Sequence, residues 1–292
     1  MSALTQEREQ VVTNAIREIS HIATLPEVTV KVVELVENPK STAQDLNKVI
    51  STDPALCSRI LKVVNSSFYG LPGQIGSINR AIVMLGLNAV KNIAIAASMA
   101  KLFRGGEIGP SFSGRELWAH CNVTAAGAKL IATSIKMGLT DEAFLGGLIH
   151  DLGLMVEMQY DRNKLQEVLR QVGQDAKGVP ATDMLACELS VYGADHQDFG
   201  SVLCEKWKFP KSFSNVCGYH HRPLDLPHDQ RQLAAIVYVA DAALGGVGFR
   251  GDLVSTMIEP DVLDFLKLSS EKLAEIGNTV KAQAKDMANT LG

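Results

Sequence analysis

Paired cysteines, clustered positive charge and an unbroken hydrophobic run are all missing from this 292-residue chain. Its five cysteines, Cys57, Cys121, Cys187, Cys204 and Cys217, are odd in number and form no Cys-x-x-Cys pair. That argues against a disulfide framework and a thiolate zinc knuckle, and fits a reduced, cytoplasmic setting. The formal charge is −4, with Lys and Arg scattered along the chain, so there is no electrostatic footprint for nucleic acid. The most apolar stretch, residues 81–100, is interrupted by Asn88, Lys91 and Asn92, and the N-terminus MSALTQEREQ is polar where a signal peptide is apolar. A buried core helix is expected over that stretch, with no membrane span.

Strand-type alternation, internal repeats and low-complexity tracts are also absent, while helical spacing of apolar residues is everywhere, so the expected fold class is all-α. Val11, Val12, Ala15, Ile16 and Ile19 stripe a first helix, and Val32, Val33, Leu35 and Val36 a second that Asn38-Pro39 should end. Ser41-x-x-Gln44 has the form of a capping box opening a third. Asp53-Pro54 is a start signal, because Asp accepts from free amides and Pro lacks the N–H that the first turn cannot use. Ser77 is expected to cap a helix running to Leu85, followed by one reaching about Phe103. Residues 104–115, RGGEIGPSFSGR, shift to Gly, Pro and Ser and mark a boundary. Further helices are expected near 115–135, 141–150, 161–173, 181–190, 196–207, 212–221, 230–244 and 270–290.

Chemistry-bearing residues gather in the second part of the chain. Five of the seven histidines, His120, His150, His196, His220 and His221, occur with Asp151 and Asp241 in short, largely apolar segments. Imidazoles and carboxylates together form the mixed N/O donor set of a first-row transition metal. Asp241 sits in the apolar helix IVYVADAAL, where an unpaired carboxylate is costly, so a cation or a nearby Lys or Arg should meet it. His220 and His221 can share one target only near a helix end, since neighbours on a regular helix point about 100° apart. Gly105-Gly106 and Gly245-Gly246 match no phosphate-binding loop. Trp207 is read as packing a helix end. Asn65-Ser66-Ser67 is open to two readings, a partner-holding element or a helix stop before Gly70.

LPEVTVKVVELVENP, ISTDPALCSRILKVVNSSFYG and INRAIVMLGLNAVKNI resemble the N-terminal half of HDOD domains. LWAHCNVTAAGAKL, FLGGLIHDLG, HQDFGSVLCEKWKFP and GYHHRP resemble their HD-derived half, and the likeness runs from about Leu25 to Pro223. The resemblance implies an all-helical bacterial signalling module related to metal-dependent phosphohydrolases, with an N-terminal helical subdomain (1–105), an HD-like metal-binding subdomain (106–250) and a C-terminal helical extension (251–292). It implies a minimal metal set of His120, His150, Asp151 and Asp241. His196, His220 and His221 match the added ligands of the dinuclear branch, with Asp151 as the bridge. One or two divalent ions of iron, manganese or zinc are expected. Receiver domains often accompany HDOD domains, and the chain has no room for one, so a stand-alone module is expected.

Two features depart from active HD enzymes. Many carry Lys three residues after the motif's Asp, where this chain has Leu154 in HDLGL, and the Gly-Tyr-Pro signature of cyclic-dinucleotide phosphodiesterases is missing after the His pair. Arg222 or Lys206 could replace the lost charge. The expectation is a regulator working through a signalling protein partner or a small phosphorylated ligand. A metal-dependent phosphohydrolase, with Asp151 as its catalytic metal bridge, is the alternative.

Overall fold

A computed structural model describes residues 6–19, 25–66, 69–100, 102–103, 107–109, 112–173, 181–244 and 258–291. The fold is all-α. Its helices are α1 (Gln6–Glu18), α2 (Glu27–Glu37), α3 (Ala43–Ile50), α4 (Pro54–Val64), α5 (Ile78–Leu85), α6 (Leu87–Met99), α7 (Gly114–Ser134) and α8 (Thr140–Ile149), then α9 (Leu152–Tyr160), α10 (Arg162–Val172), α11 (Met184–Tyr192), α12 (His196–Lys206), α13 (Lys211–Tyr219), α14 (Gln232–Leu244), α15 (Pro260–Leu266) and α16 (Ser270–Leu291). A single antiparallel ribbon, β1 (Glu107–Gly109) with β2 (Phe112–Ser113), lies among the described residues. It falls inside the Gly/Pro/Ser-rich stretch expected to be a plain boundary.

The start signals act as their chemistry requires. Asp53 accepts from the Leu56 amide at 2.9 Å with Pro54 in the first turn of α4, and Ser77 accepts from the Arg80 amide at 3.2 Å. The capping box before α3 is displaced by one residue. Thr42 and Asp45 exchange side-chain and backbone bonds, while Ser41 donates to the Leu35 carbonyl at 2.8 Å and accepts from the Lys91 ammonium at 2.5 Å. Gly86, at φ 90°, separates α5 from α6 in a conformation that a side chain disfavours. α6 ends at Met99, four residues short of the expected Phe103.

Helix α6 is buried from Ala89 to Met99, including Lys91 and Asn92, as expected of a helix apolar around most of its circumference. Burial pushes the Lys91 ammonium below its usual range, and it is held by the Leu35 carbonyl at 2.6 Å as well as by Ser41. Helices α2, α4 and α5 pack around α6, which in turn meets α8. On the other side of α8, α7 pairs with it along its length, α14 lies across both, and α12 contacts α9 and α13. The two chain-terminal helices cross this arrangement: α1 lies on α9 and α12, and α16 on α7, α4 and α14. No helix among the described residues is long and apolar enough to cross a membrane.

Helices α9 and α15 have no counterpart in the sequence reading. At the start of α9, Asp151 occupies the N-cap position but makes no side-chain cap bond, because its carboxylate is turned inward among histidines. Asn65 closes the loop after α4 through its side chain, donating to the carbonyls of Leu61 (2.8 Å) and Ile75 (2.9 Å) and accepting from the Ile75 amide at 2.7 Å. Trp207 caps α12, buried, with its ring 6.3 Å from that of Phe209. Ser67, Gly105, Gly106, Gly245 and Gly246 lie outside the described residues.

Candidate metal centre

Two glycines allow the segment FLGGLIHDLG to reach its neighbours. A β-carbon on Gly147 would stand 2.7 Å from the Ala125 Cα of α7, and one on Gly153 would stand 1.7 Å from the His196 carbonyl oxygen of α12. The α8–α9 turn is thereby drawn against His120 on one side and His196 on the other. His150 ends α8, Asp151 begins α9, His196 opens α12, His220 ends α13, and Asp241 comes from the last turn of α14. His220 and His221 face inward together at the end of α13, with ring centroids 4.2 Å apart.

The seven residues converge as two clusters that share Asp151. In the first, the Nε2 atoms of His120 and His150 are 3.2 Å apart, and Asp241 Oδ1 lies 2.9 Å from one and 3.6 Å from the other. Asp151 Oδ2 faces this group at 3.3 Å from His150 Nε2 and 3.6 Å from His120 Nε2. In the second, His196 Nε2 is 3.3 Å from His220 Nε2 and 3.1 Å from His221 Nε2. Asp151 Oδ1 faces that group, 3.7 Å from His196 and 3.6 Å from His220. The carboxylate thus presents one oxygen to each cluster. All these groups are buried except His221, which is half-buried at the rim.

The donor set fits a divalent transition cation on three counts. Nε2 lone pairs brought this close repel one another unless a proton or cation lies between them. The closest spacings match the edge lengths, about 2.9–3.4 Å, of octahedral or tetrahedral shells with metal–nitrogen bonds of about 2.0–2.1 Å. Asp241 Oδ1 lies 2.9 Å from His120 Nε2 and 3.6 Å from His150 Nε2, so one carboxylate oxygen stands close to both imidazole nitrogens, as donors that share a target do. Several rings are also fixed from behind: His150 Nδ1 faces the Gly147 carbonyl at 2.7 Å, and His220 Nδ1 those of Val216 (3.2 Å) and Cys217 (3.1 Å). A proton held at Nδ1 leaves Nε2 as the donor.

Burial drives the His220 imidazole down to about 4. Burial alone would lower His150 too, but the carboxylates of Asp151 and Asp241 and the Gly147 carbonyl outweigh it and raise it. Burial works to raise Asp241, yet the imidazoles of His120 and His150 hold it well below the usual carboxylate range.

Two neighbours escaped the sequence reading. Cys121 places Sγ within 4.8 Å of donor atoms of His150 and Asp151; lacking a Cys-x-x-Cys partner, it gave no signal. Glu188, buried in α11, holds His196 Nδ1 at 2.8 Å. A carboxylate in the apolar run MLACELSVY was its only trace. Leu154 is wholly buried. Lys206 ends α12, about 15 Å along the axis from His196 at 1.5 Å per residue, so it does not replace the missing charge at the centre. Arg222 follows His221 directly, with its Nε 4.0 Å from Asp225.

An all-helical fold with an HD-like His/Asp centre defines the class. The HDOD domain family model matches residues 22–223, and the chain belongs to the HDOD family. A similar curated protein, an uncharacterized protein of Treponema pallidum (strain Nichols), is 23% identical over 268 residues, which cover 87% of this chain and 48% of that one. The chain therefore spans about half the length of that relative. Among solved structures, an HDOD domain protein of unknown function from Geobacter sulfurreducens superposes with a TM-score of 0.77 at 22% identity, covering 97% of both chains. A protein from Marinobacter aquaeolei VT8 described as a candidate in signal transduction gives 0.78 at 19%, covering 99% of this chain and 67% of that one. A candidate phosphohydrolase from Shewanella amazonensis SB2B gives 0.73 at 19%, covering 97% and 98%. At these identities the likeness is one of fold.

Proposed function

We propose that the protein is a regulatory HDOD module whose centre holds divalent transition-metal ions and whose state is read by a signalling protein partner or set by a small phosphorylated ligand. His120, His150 and Asp241 would hold one ion and His196, His220 and His221 a second, with Asp151 bridging. Iron, manganese and zinc all suit such donors. Bound ions would supply positive charge that can grip phosphate oxygens.

The observation that carries regulation over catalysis is Leu154: an apolar, wholly buried side chain stands where active HD relatives place a phosphate-binding Lys. The second reading, a phosphohydrolase acting on a nucleotide or cyclic dinucleotide, is favoured by the way Asp151 turns one oxygen to each cluster. We assign partner binding to residues 1–105, control to the centre in 106–250, and a helical extension to 251–292.

Untagged protein purified without chelator, assayed for metal by mass spectrometry and for hydrolysis of cyclic dinucleotides, tests these readings together. Two ions per chain, most of them lost in Asp151→Ala with helical content retained, and no turnover are expected. Turnover at ordinary enzymatic rates of about 1 s⁻¹ or faster, abolished by Asp151→Ala, would replace the regulator with an enzyme. Full metal occupancy in Asp151→Ala would refute the bridge.

A further inference from the structure

Glu188 is 0% exposed and eight residues before His196. Among the described residues, its hydrogen bonds all come from His196. The ring Nδ1 lies 2.9 Å from Oε1 and 2.8 Å from Oε2, and the backbone N–H donates to Oε2 at 3.0 Å. His150 and His220 turn their Nδ1 atoms to neutral backbone carbonyls instead. His196 is thus backed by a buried carboxyl group where His150 and His220 have only backbone carbonyls.

The placement balances the two clusters. Besides the shared Asp151, the His120/His150 cluster has its own carboxylate, Asp241, 2.9 Å from His120 Nε2. Among the described residues, the His196/His220/His221 cluster has three imidazoles and no carboxylate of its own. Glu188 supplies the missing charge one bond removed. By holding the proton at Nδ1 it fixes the tautomer, aims Nε2 at the cluster's centre and strengthens that nitrogen as a donor.

We infer that Glu188 is a positioning residue that sets the affinity of the His196/His220/His221 cluster for a divalent cation, leaving the His120/His150/Asp241 cluster untouched. This rests on reading the centre as a two-cation site. Its consequence is that loss of one buried carboxylate, itself no metal ligand, should weaken uptake of one of the two ions and leave the other as it was.

Zinc titrated calorimetrically into the metal-free full chain tests it. The wild type is expected to take up two equivalents. Glu188→Gln should keep the first at wild-type affinity and bind the second about 10- to 100-fold more weakly, the usual loss when such a supporting group is removed. A carboxamide oxygen can still accept from the His196 amide, so a merely structural role for Glu188 predicts that Glu188→Gln behaves as wild type. His221→Ala should weaken the same equivalent, which assigns it to this cluster. Glu188→Asp, retaining the charge on a shorter arm, should fall between wild type and Glu188→Gln; if Glu188→Gln does not fold, a second equivalent in Glu188→Asp as tight as wild type overturns the inference. Two unchanged equivalents in Glu188→Gln, or equal weakening of both, also overturn it while leaving the two-cation reading intact. A wild type that takes up fewer than two equivalents overturns both.

Discussion

Gly153→Ala adds a single methyl group, and the structure says what it meets. Its β-carbon would lie 1.7 Å from the His196 carbonyl oxygen and 2.5 Å from the carbonyl carbon. Restoring an ordinary C···O contact of about 3.3 Å requires α9 and α12 to part by roughly 1.6 Å. Both sides of the collision are backbone, so no flexible side chain can yield, and overpacking at the upper end of its usual range, about 3 kcal/mol, is expected. The higher helix propensity of alanine returns about 1 kcal/mol. A net loss of about 2 kcal/mol lowers the melting temperature of a chain of this size by roughly 3 °C. Gly146, in the same segment, is the control: its added β-carbon would meet only side chains, at 3.4–3.7 Å from Val237, Val216 and Leu233. Gly146→Ala should therefore be neutral or slightly stabilising, while Gly147→Ala, 2.7 Å from the Ala125 Cα, should destabilise. Thermal melts of the metal-free variants, followed by circular dichroism, measure all three. A Gly153→Ala variant melting within 1 °C of wild type, or a Gly146→Ala variant melting lowest, would refute the claim that backbone approach at Gly153 draws the site together.

Two further outcomes are expected. In the metal-free protein His220, depressed to about 4 by burial, contributes stability that is present above its ordinary value near 6.5 and lost as pH falls towards 4. His150, raised by its carboxylate neighbours against the pull of burial, contributes stability that is present below 6.5 and lost as pH rises through its elevated value. Stability should therefore peak between the two losses, and cation uptake should expel the His150 proton; an NMR titration placing His220 at or above the ordinary value contradicts this. Asn65→Ala removes the two bonds that close the loop to Ile75 and a third to the Leu61 carbonyl and should cost about 1–3 kcal/mol, read by urea denaturation; an unchanged midpoint would show that the loop closes without them.

Much of this was legible in the sequence because the signals were local. Asp53-Pro54 and Ser77 announce helix starts through bonds made within three residues, and the apolar spacing of α1 and α2 follows from one face each. The HDOD resemblance ordered the seven His and Asp residues before any distance was known. Illegible were features that depend on what lies across the fold. α9 lacks a capping bond because Asp151 serves the centre instead, and α15 is a short helix of seven residues. Cys121 and Glu188 gain their neighbours only when α7, α8, α11 and α12 meet. Which oxygen of Asp151 faces which cluster is likewise set by the α8–α9 turn, whose tightness two glycines permit without announcing.

The crossing of the terminal helices limits how the molecule can move. α1 precedes α2 in sequence yet rests on α9 and α12, with Arg8 reaching Asp198 at 3.5 Å, and α16 follows α14 yet touches α4. Helix α16 thus bridges the helices around α6 and those around the His/Asp centre. Swinging them apart would require lifting α16 from α4 or from α7 and α14. That contact opposes a clamshell opening and favours sliding of packed helices by about 1–2 Å. The α6–α8 contact is the direct seam for it; on the regulatory reading proposed above, a message from the centre would leave as a change in helix register, and a partner would need to sense a surface that shifts without opening.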